Sequence, residues 1–259
     1  MKIINICVSS CKHEPYCSNA KYMVESYNRI ARYLNLPIHA FYFFGNETDM
    51  NYLNDDNISL AFSDSDIAVK QYMLLQCIVE HHLIYCDIHI QTNSSTVLNI
   101  VKLYEYICKN YDDKCVYCNY INYLSNDRSF PSGYFWMTSK DILQVLYKDW
   151  LSSKEALKSF SREKANEFMW EGIGEDFIIG DILKINNIPL KRIENFVCFP
   201  KTTSENLNYM TPNIYDYIGI YAKTHEENIK ARSVTEPDFI EFLTLLFEKH
   251  VCIPENNAI

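Results

Sequence analysis

Apolar positions recur along this chain with two different periods, and the switches between them divide it into strands and helices. Ile3 to Val8 is an apolar run broken only by Asn5 and closed by Ser9-Ser10, which predicts a buried strand over Lys2 to Ser9. Tyr22, Met23, Tyr27, Ile30 and Leu34 then recur at helical spacing across Asn19 to Leu34. Pro37 opens a second strand, Ile38 to Phe44, which stops at Gly45-Asn46. Strand, helix and strand of these lengths make a βαβ unit, whose crossover forces the strands parallel and lays the helix on the sheet.

The pattern continues in alternation. After an Asn/Asp-rich stretch from Asn46 to Asn57, Ser65 or Asp66 can cap a helix that runs to His81 or His82, and Leu83 to Cys86 reads as a third strand. A helix follows from about Ser94 to Lys109, then a strand from Cys115 to Ile121 and a polar loop from Ser125 to Ser129. Ser132 to Thr138 leads into a helix capped by Ser139 with Asp141 in its first turn, and Lys154 to Trp170 is charged and amphipathic. A strand pair, about Lys191 to Phe199 and Tyr215 to Tyr221, precedes a last helix from Glu236 to His250. Phe239, Phe242, Leu243, Leu246 and Phe247 mark the apolar face of that helix. No internal repeat is visible. The predicted class is α/β, with a mixed, mostly parallel central sheet flanked by helices.

Composition narrows the function. At 259 residues and 48% hydrophobic content the chain can bury a large single core. A net charge of −9, with 24 basic residues scattered, argues against a nucleic-acid-binding face, which needs clustered cations. Several of the ten cysteines sit in apolar runs, where a reduced thiol behaves as a small hydrophobe. Cys115-Val116-Tyr117-Cys118 has metal-site spacing but no second pair to complete it. No apolar segment approaches a membrane span and no secretory leader is apparent, so the expectation is a cytoplasmic protein without a membrane anchor.

Candidate chemistry concentrates in three places. Glu175-Asp176 is a pair of adjacent carboxylates on a turn framed by Gly172, Gly174 and Gly180, half of the six glycines, and it opens a helix. The ordinary role of such acids is to cap the helix, and a capping acid can still face a cleft. Asp87-Ile88-His89 puts two metal-ligand types on one side of an extended backbone, unless Asp87 caps a turn and His89 is a half-buried histidine. Tyr134, Phe135, Trp136 and Trp170 suit either a sugar platform or the core. Ligands of open α/β sheets gather at carboxyl ends of strands, which adds Ser9-Ser10. There is no serine-nucleophile elbow, dinucleotide fingerprint or P-loop.

Taken in order, the blocks Ile4 to Ser10, Phe41 to Gly45, Asp64-Ser65-Asp66-Ile67-Ala68-Val69-Lys70, Tyr85 to Ile90, Ser132 to Asp141 and Glu175-Asp176-Phe177-Ile178-Ile179-Gly180 resemble the β-1,3-glycosyltransferase family, which includes the β-1,3-galactosyltransferases and Fringe. The resemblance runs from about Ile4 to Ala231. It implies a GT-A-type nucleotide-sugar-binding domain over residues 1–231, with residues 232–259 a helical extension packed on the same domain. The implied activity is inverting transfer of a hexosyl or N-acetylhexosaminyl group from a UDP-sugar to a hydroxyl of a glycan or glycoprotein. Asp176 is then the base and Glu175 its support. Donor contacts fall on Ser9, Asp64, Lys70, Asp87 and Ile88, and Mn2+ or Mg2+ ligands on Asp87, His89 and His225. Gly133, Tyr134, Phe135, Trp136 and Gly174 form the acceptor or sugar pocket. The chain departs from the family where His89 replaces an aspartate, where Tyr134 and Phe135 replace glycines, and where Tyr221 rather than His225 aligns with the late histidine. Those departures leave a non-catalytic GT-A-like binding protein as the alternative. The missing anchor makes the chain resemble freestanding cytosolic forms found in large DNA viruses and some microbes.

Overall fold

The computed structural model describes residues 2–45, 52–54, 57–60, 67–80, 85–125, 128–132, 134–168, 174–198, 214–221 and 229–251. Alternation in β1 (Ile4–Ser9) sends Ile4, Ile6 and Val8 to one face of the sheet and Asn5, Cys7 and Ser9 to the other. Both faces are covered, as parallel strands require. Helix α1 (Tyr16–Tyr33) carries the chain to β2 (Ile38–Gly45), which pairs parallel with β1 from Ile4 opposite Ile38 to Ser9 opposite Phe43. Beyond β2 lie β4 (Asn57–Leu60), parallel to it, and the antiparallel edge strand β3 (Tyr52–Asn54).

Helix α2 (Ile67–Val79) returns the chain to the other side of β1. There β5 (Ile88–Asn93) pairs parallel from Ile88 opposite Ile4 to Asn93 opposite Ser9. Next come β6 (Thr96–Leu98), α3 (Ile100–Asn110), β7 (Val116–Cys118), the hairpin of β8 (Ile121–Ser125) and β9 (Arg128–Pro131), and β10 (Phe135–Ser139), which runs antiparallel between β5 and β7. Then follow α4 (Lys140–Phe168), α5 (Glu175–Ile185) and β11 (Leu190–Arg192). Among the described residues the main sheet has the order β11-β7-β10-β5-β1-β2-β4-β3. A smaller sheet joins β6 to β13 (Gly219–Tyr221) and β12 (Phe196–Cys198), and α6 (Ile229–His250) closes the described chain.

Two apolar layers result. Ile4, Ile6, Val8 and Ile90 pack with α1, α3 and α6 on one face, while Cys7, Phe41, Trp136 and Val116 pack with α2, α4 and α5 on the other. Trp136, Trp150 and Phe41 are fully buried, and removing such side chains from water stabilises the fold by roughly 1.5–3 kcal/mol or more apiece. Asn28 on α1 ties helix to sheet by exchanging hydrogen bonds with both polar groups of the Ala40 backbone, at 2.8 and 2.9 Å. The mixed, mostly parallel sheet flanked by helices is the architecture the hydrophobic pattern predicts.

Several expected elements move. Of the strand expected at Leu83 to Cys86, Leu83 and Ile84 lie outside the described residues and Tyr85 and Cys86 are irregular, while a strand spans Ile88–Asn93. The helix expected from Ser94 starts at Ile100, where Asn99 accepts from the Lys102 N–H, because Thr96–Leu98 joins the smaller sheet. The stretch from Cys115 to Ile121 divides between β7 and β8, and the polar loop after it belongs to the β8–β9 hairpin. The charged helix from Lys154 continues α4 without a break. Position 231 falls within α6, whose Phe239, Ile240, Leu243 and Phe247 join the core of β1 while Phe242 faces solvent.

Gly180 inside α5 marks a close approach. A Cβ there would meet the Ser129 carbonyl oxygen at 2.5 Å and the Phe130 Cβ at 2.6 Å on β9. An alanine in a helix interior ordinarily stabilises by about 1 kcal/mol over glycine. Here Gly180→Ala is expected to destabilise by about 1–3 kcal/mol, because the clash involves backbone that cannot yield freely. Urea unfolding of the variant against the parent checks the sign.

Candidate functional site

The chain leaves β1 toward β2 on one side and later returns to β5 on the other, so the connections diverge at the carboxyl ends of β1 and β5. Divergence of this kind opens a crevice that neither connection fills. Its floor is backbone and small polar side chains. The Ser10 N–H donates to the Phe43 carbonyl at 3.0 Å, and the Ser94 N–H donates to the Ser9 carbonyl at 3.0 Å, locking the three strand ends together. Asn93 shapes the turn that follows β5: its Oδ1 accepts from the Ser95 N–H at 3.1 Å and the Thr96 hydroxyl at 2.9 Å. The Ser95 hydroxyl donates in turn to Glu236 from α6.

A cation stands at this floor. Lys70 on α2 is only 5% exposed, and its Nζ donates to the Ser10 carbonyl at 2.7 Å and sits 5.5 Å from the centre of the Phe43 ring. Its charge reaches Glu175, the first residue of α5 after Gly174 at the cap. Burial raises the Glu175 pKa above the ordinary carboxylate value, opposed by its own backbone N–H and by Lys70. Asp176 lies one residue on, toward β7. Burial pushes the Cys118 thiol up to about 12, and the Asp176 charge adds to that rise. Glu175 thus feels the Lys70 charge, and Asp176 acts electrostatically on the β7 end.

Tyr134 and Tyr221 form the rim on the β5 side. Their rings stack with centroids 4.2 Å apart and planes 15° from parallel. The Thr92 hydroxyl donates to the Tyr134 carbonyl at 3.1 Å, and Tyr221 lies opposite Thr96 in the smaller sheet.

The expected metal pair is not here. Asp87 precedes β5, so about six residues at roughly 3.3 Å each separate it from the crevice, on the order of 20 Å. Its carboxylate accepts from the Ile3 N–H at 2.7 Å and the Tyr85 hydroxyl at 3.2 Å. His89 is sealed inside the α2/α4 face between Asn5 and Thr138, 5.3 Å ring to ring from Trp136, with Nε2 3.3 Å from the Gln91 Oε1. Burial draws its pKa down to about 4, so the ring is neutral. Asp87 and His89 therefore do not fit a divalent ion that must meet a ligand at the crevice. Among the described residues no three metal-ligating side chains converge.

Ile88, expected to touch the donor, is core, and so are Phe135, packed on Phe196, and Trp136. Asp64, Gly133 and His225 lie outside the described residues. Cys7, Cys11, Cys17, Cys77, Cys86, Cys108, Cys115 and Cys118 are free thiols. Asn93, Ser95 and Glu236 were absent from the expected site. The Ile88/Ile90 alternation was the signal that could have carried the strand on to Asn93.

No family profile and no curated protein matches this chain. Among solved structures, a glycosyltransferase involved in glycosylation of the major capsid of PBCV-1 aligns over 93% of this chain and 99% of its own, with a TM-score of 0.47 and 9% identity. The apo-form glycosyltransferase GlyE of Streptococcus pneumoniae TIGR4 aligns over 100% of this chain and 66% of its own, with a TM-score of 0.41 and 11% identity. Likenesses this distant assign no residue and no reaction to this chain. No described helix is long and apolar enough to cross a membrane.

The neutral, buried His89 makes stability depend on pH in a defined direction. Its folded pKa of about 4 lies below the ordinary 6.5, so the unfolded chain takes up a proton that the native state refuses. His89 thus contributes stability above about pH 6.5 that is lost as pH falls toward 4, by about 3 kcal/mol at most. The difference in unfolding free energy between the parent and His89→Gln should change over that window and stay flat above pH 7. Urea titrations at several pH values measure it.

Proposed function

We propose that this protein is an inverting glycosyltransferase that moves a sugar from a UDP-sugar to a hydroxyl of a glycan or glycoprotein. The observation that carries this reading is the buried Lys70 ammonium at the β1/β5 strand ends, with its charge reaching Glu175, the residue before Asp176 at the start of α5. The resemblance of the Glu175 to Gly180 block to the β-1,3-glycosyltransferases supports it. The diphosphate lies on the Lys70 side, over Ser9 and Ser10. The acceptor lies outward along the sheet, toward β7 and Asp176.

Asp176 takes the proton from the acceptor hydroxyl as that oxygen bonds to the anomeric carbon. The bond from the anomeric carbon to the diphosphate oxygen breaks on the opposite side, and its electron pair leaves with the phosphate. Lys70 meets that charge, which grows as the bond lengthens, so the interaction is stronger in the transition state than before it. Glu175 holds Lys70 in place between turnovers. The Tyr134–Tyr221 stack offers an aromatic face beside the same crevice. Asp87 and His89 do not fit the divalent ion expected for this chemistry, so the charge on the leaving group is assigned to Lys70.

The purified protein, incubated with a panel of UDP-sugars, is expected to release UDP slowly by transfer to water; a pure binding protein releases none. Asp176→Asn should lower turnover by about 10²–10⁴-fold with UDP affinity retained. Lys70→Met should weaken UDP binding by about 10- to 100-fold, the worth of a charge-assisted hydrogen bond. Asp87→Ala should leave UDP affinity unchanged. Turnover assays and calorimetric titration separate these outcomes, and full activity in Asp176→Asn removes the base assignment.

A further inference from the structure

We infer that Glu236, on the C-terminal helix, is a positioning residue of the crevice that holds the turn after β5 against the nucleoside diphosphate. The inference rests on the proposed UDP-sugar chemistry and extends it to a residue on the C-terminal helix. Glu236 is fully buried. Taking a carboxylate out of water costs several kcal/mol unless hydrogen bonds compensate. It is kept where α6 meets the turn after β5, accepting from the Ser95 hydroxyl.

The bonding from that carboxylate inward is continuous. Ser95 is held by the Asn93 side chain through its N–H, and the neighbouring Ser94 N–H is bonded to the Ser9 carbonyl. Ser9 precedes Ser10, whose carbonyl receives Lys70. A shift of the turn would therefore change what the floor presents to an anion beside Lys70.

The helix does not need this contact to stay attached. Phe239, Ile240, Leu243 and Phe247 bury its apolar face in the core, and Arg29 pairs with Glu248 at 3.2 Å near its far end. Pro237, directly after Glu236, has no N–H to give to the helix, so this turn of α6 is already the weaker part of the ladder. Glu236 thus sets position at the crevice, while attachment comes from the residues after it.

The test is a double-mutant cycle read by calorimetric titration with UDP, using the parent, Ser95→Ala, Glu236→Gln and the double variant, with thermal unfolding alongside. Each single change should raise the Kd by about tenfold in protein that is still folded at the titration temperature, with a lowered Tm because a buried carboxylate loses its donor or its charge. The double variant should lose about tenfold rather than a hundredfold, because both changes break one bond. If Glu236→Gln does not fold, Ser95→Ala decides alone, since it leaves α6 intact. A parent that binds UDP while both single variants bind it within twofold overturns the role of Glu236 and leaves the glycosyltransferase reading standing. Losses that multiply in the double variant also overturn it. A parent that binds no UDP overturns both.

Discussion

Parallel pairing of β1 with a neighbour on each side is the constraint from which the rest of the structure follows. All six of its residues are matched to β2 and again to β5, in registers that begin and end together. A slip of one residue would turn Asn5, Cys7 and Ser9 toward the α1 layer and Ile4, Ile6 and Val8 toward α2. Both layers are packed against their own set, so the register is held from both faces. The flush strand ends give the molecule a crevice with a fixed floor. Functional groups come to it from helices that the sheet itself positions.

The α2/α4 face is unusual in carrying polar groups deep in the interior. Asn5, His89 and Thr138 lie side by side across three strands, with Gln91 one step further along β5. His89 Nε2 faces Gln91, while His89 Nδ1 and Thr138 Oγ1 are buried without a hydrogen-bond partner, and the depressed pKa of His89 follows from burial: the ring gives up its charge rather than carry it into the core. Among the described residues, buried charge stands at the carboxyl edge, where the Lys70 charge reaches Glu175 and Glu236 meets Ser95, and near the far end of α6, where Glu248 is paired with Arg29. The α2/α4 interior thus holds its histidine neutral while the strand ends keep a charged lysine, which separates the scaffold from the place where polar chemistry can occur.

Much of this was legible in the sequence wherever a clean period met clear punctuation. The first strand, its crossover helix and the second strand have both, and α5 announces itself through its glycines and acids. β5 did not, because Ile88-His89-Ile90-Gln91-Thr92-Asn93 alternates as a strand with a wet face would, while both of its faces are buried. A parallel central strand is usually a near-continuous apolar run, so from the pattern alone its histidine reads as a ligand and the strand reads as ending before it. That displacement moved the expected metal pair to the wrong edge of the sheet. Phe135 and Trp136 misled for a related reason: composition cannot say on which side of a strand an aromatic lies, and both point inward. Glu236 could not be recognised from its spacing, since an acid before a proline reads as the start of a helix rather than a contact within one.

A protein of net charge −9 has no general attraction for an anionic donor, so recognition must be local. Exposed charges beyond about 8 Å are screened at physiological salt, whereas a buried ammonium keeps most of its field because little water surrounds it. Lys70, 5% exposed and oriented by a carbonyl and an aromatic face, can therefore outweigh many distant surface acids. Glu175 beside it has a raised pKa from burial, which weakens its competition for the same ammonium when an anion arrives. The rest of the floor is backbone and small polar side chains, whose placement depends on the strand ends and the turn after β5. In the proposed reaction one buried cation supplies the charge and a rigid floor supplies the direction. The carboxylates on α5 and α6 act on the two sides of a crevice that β1 defines.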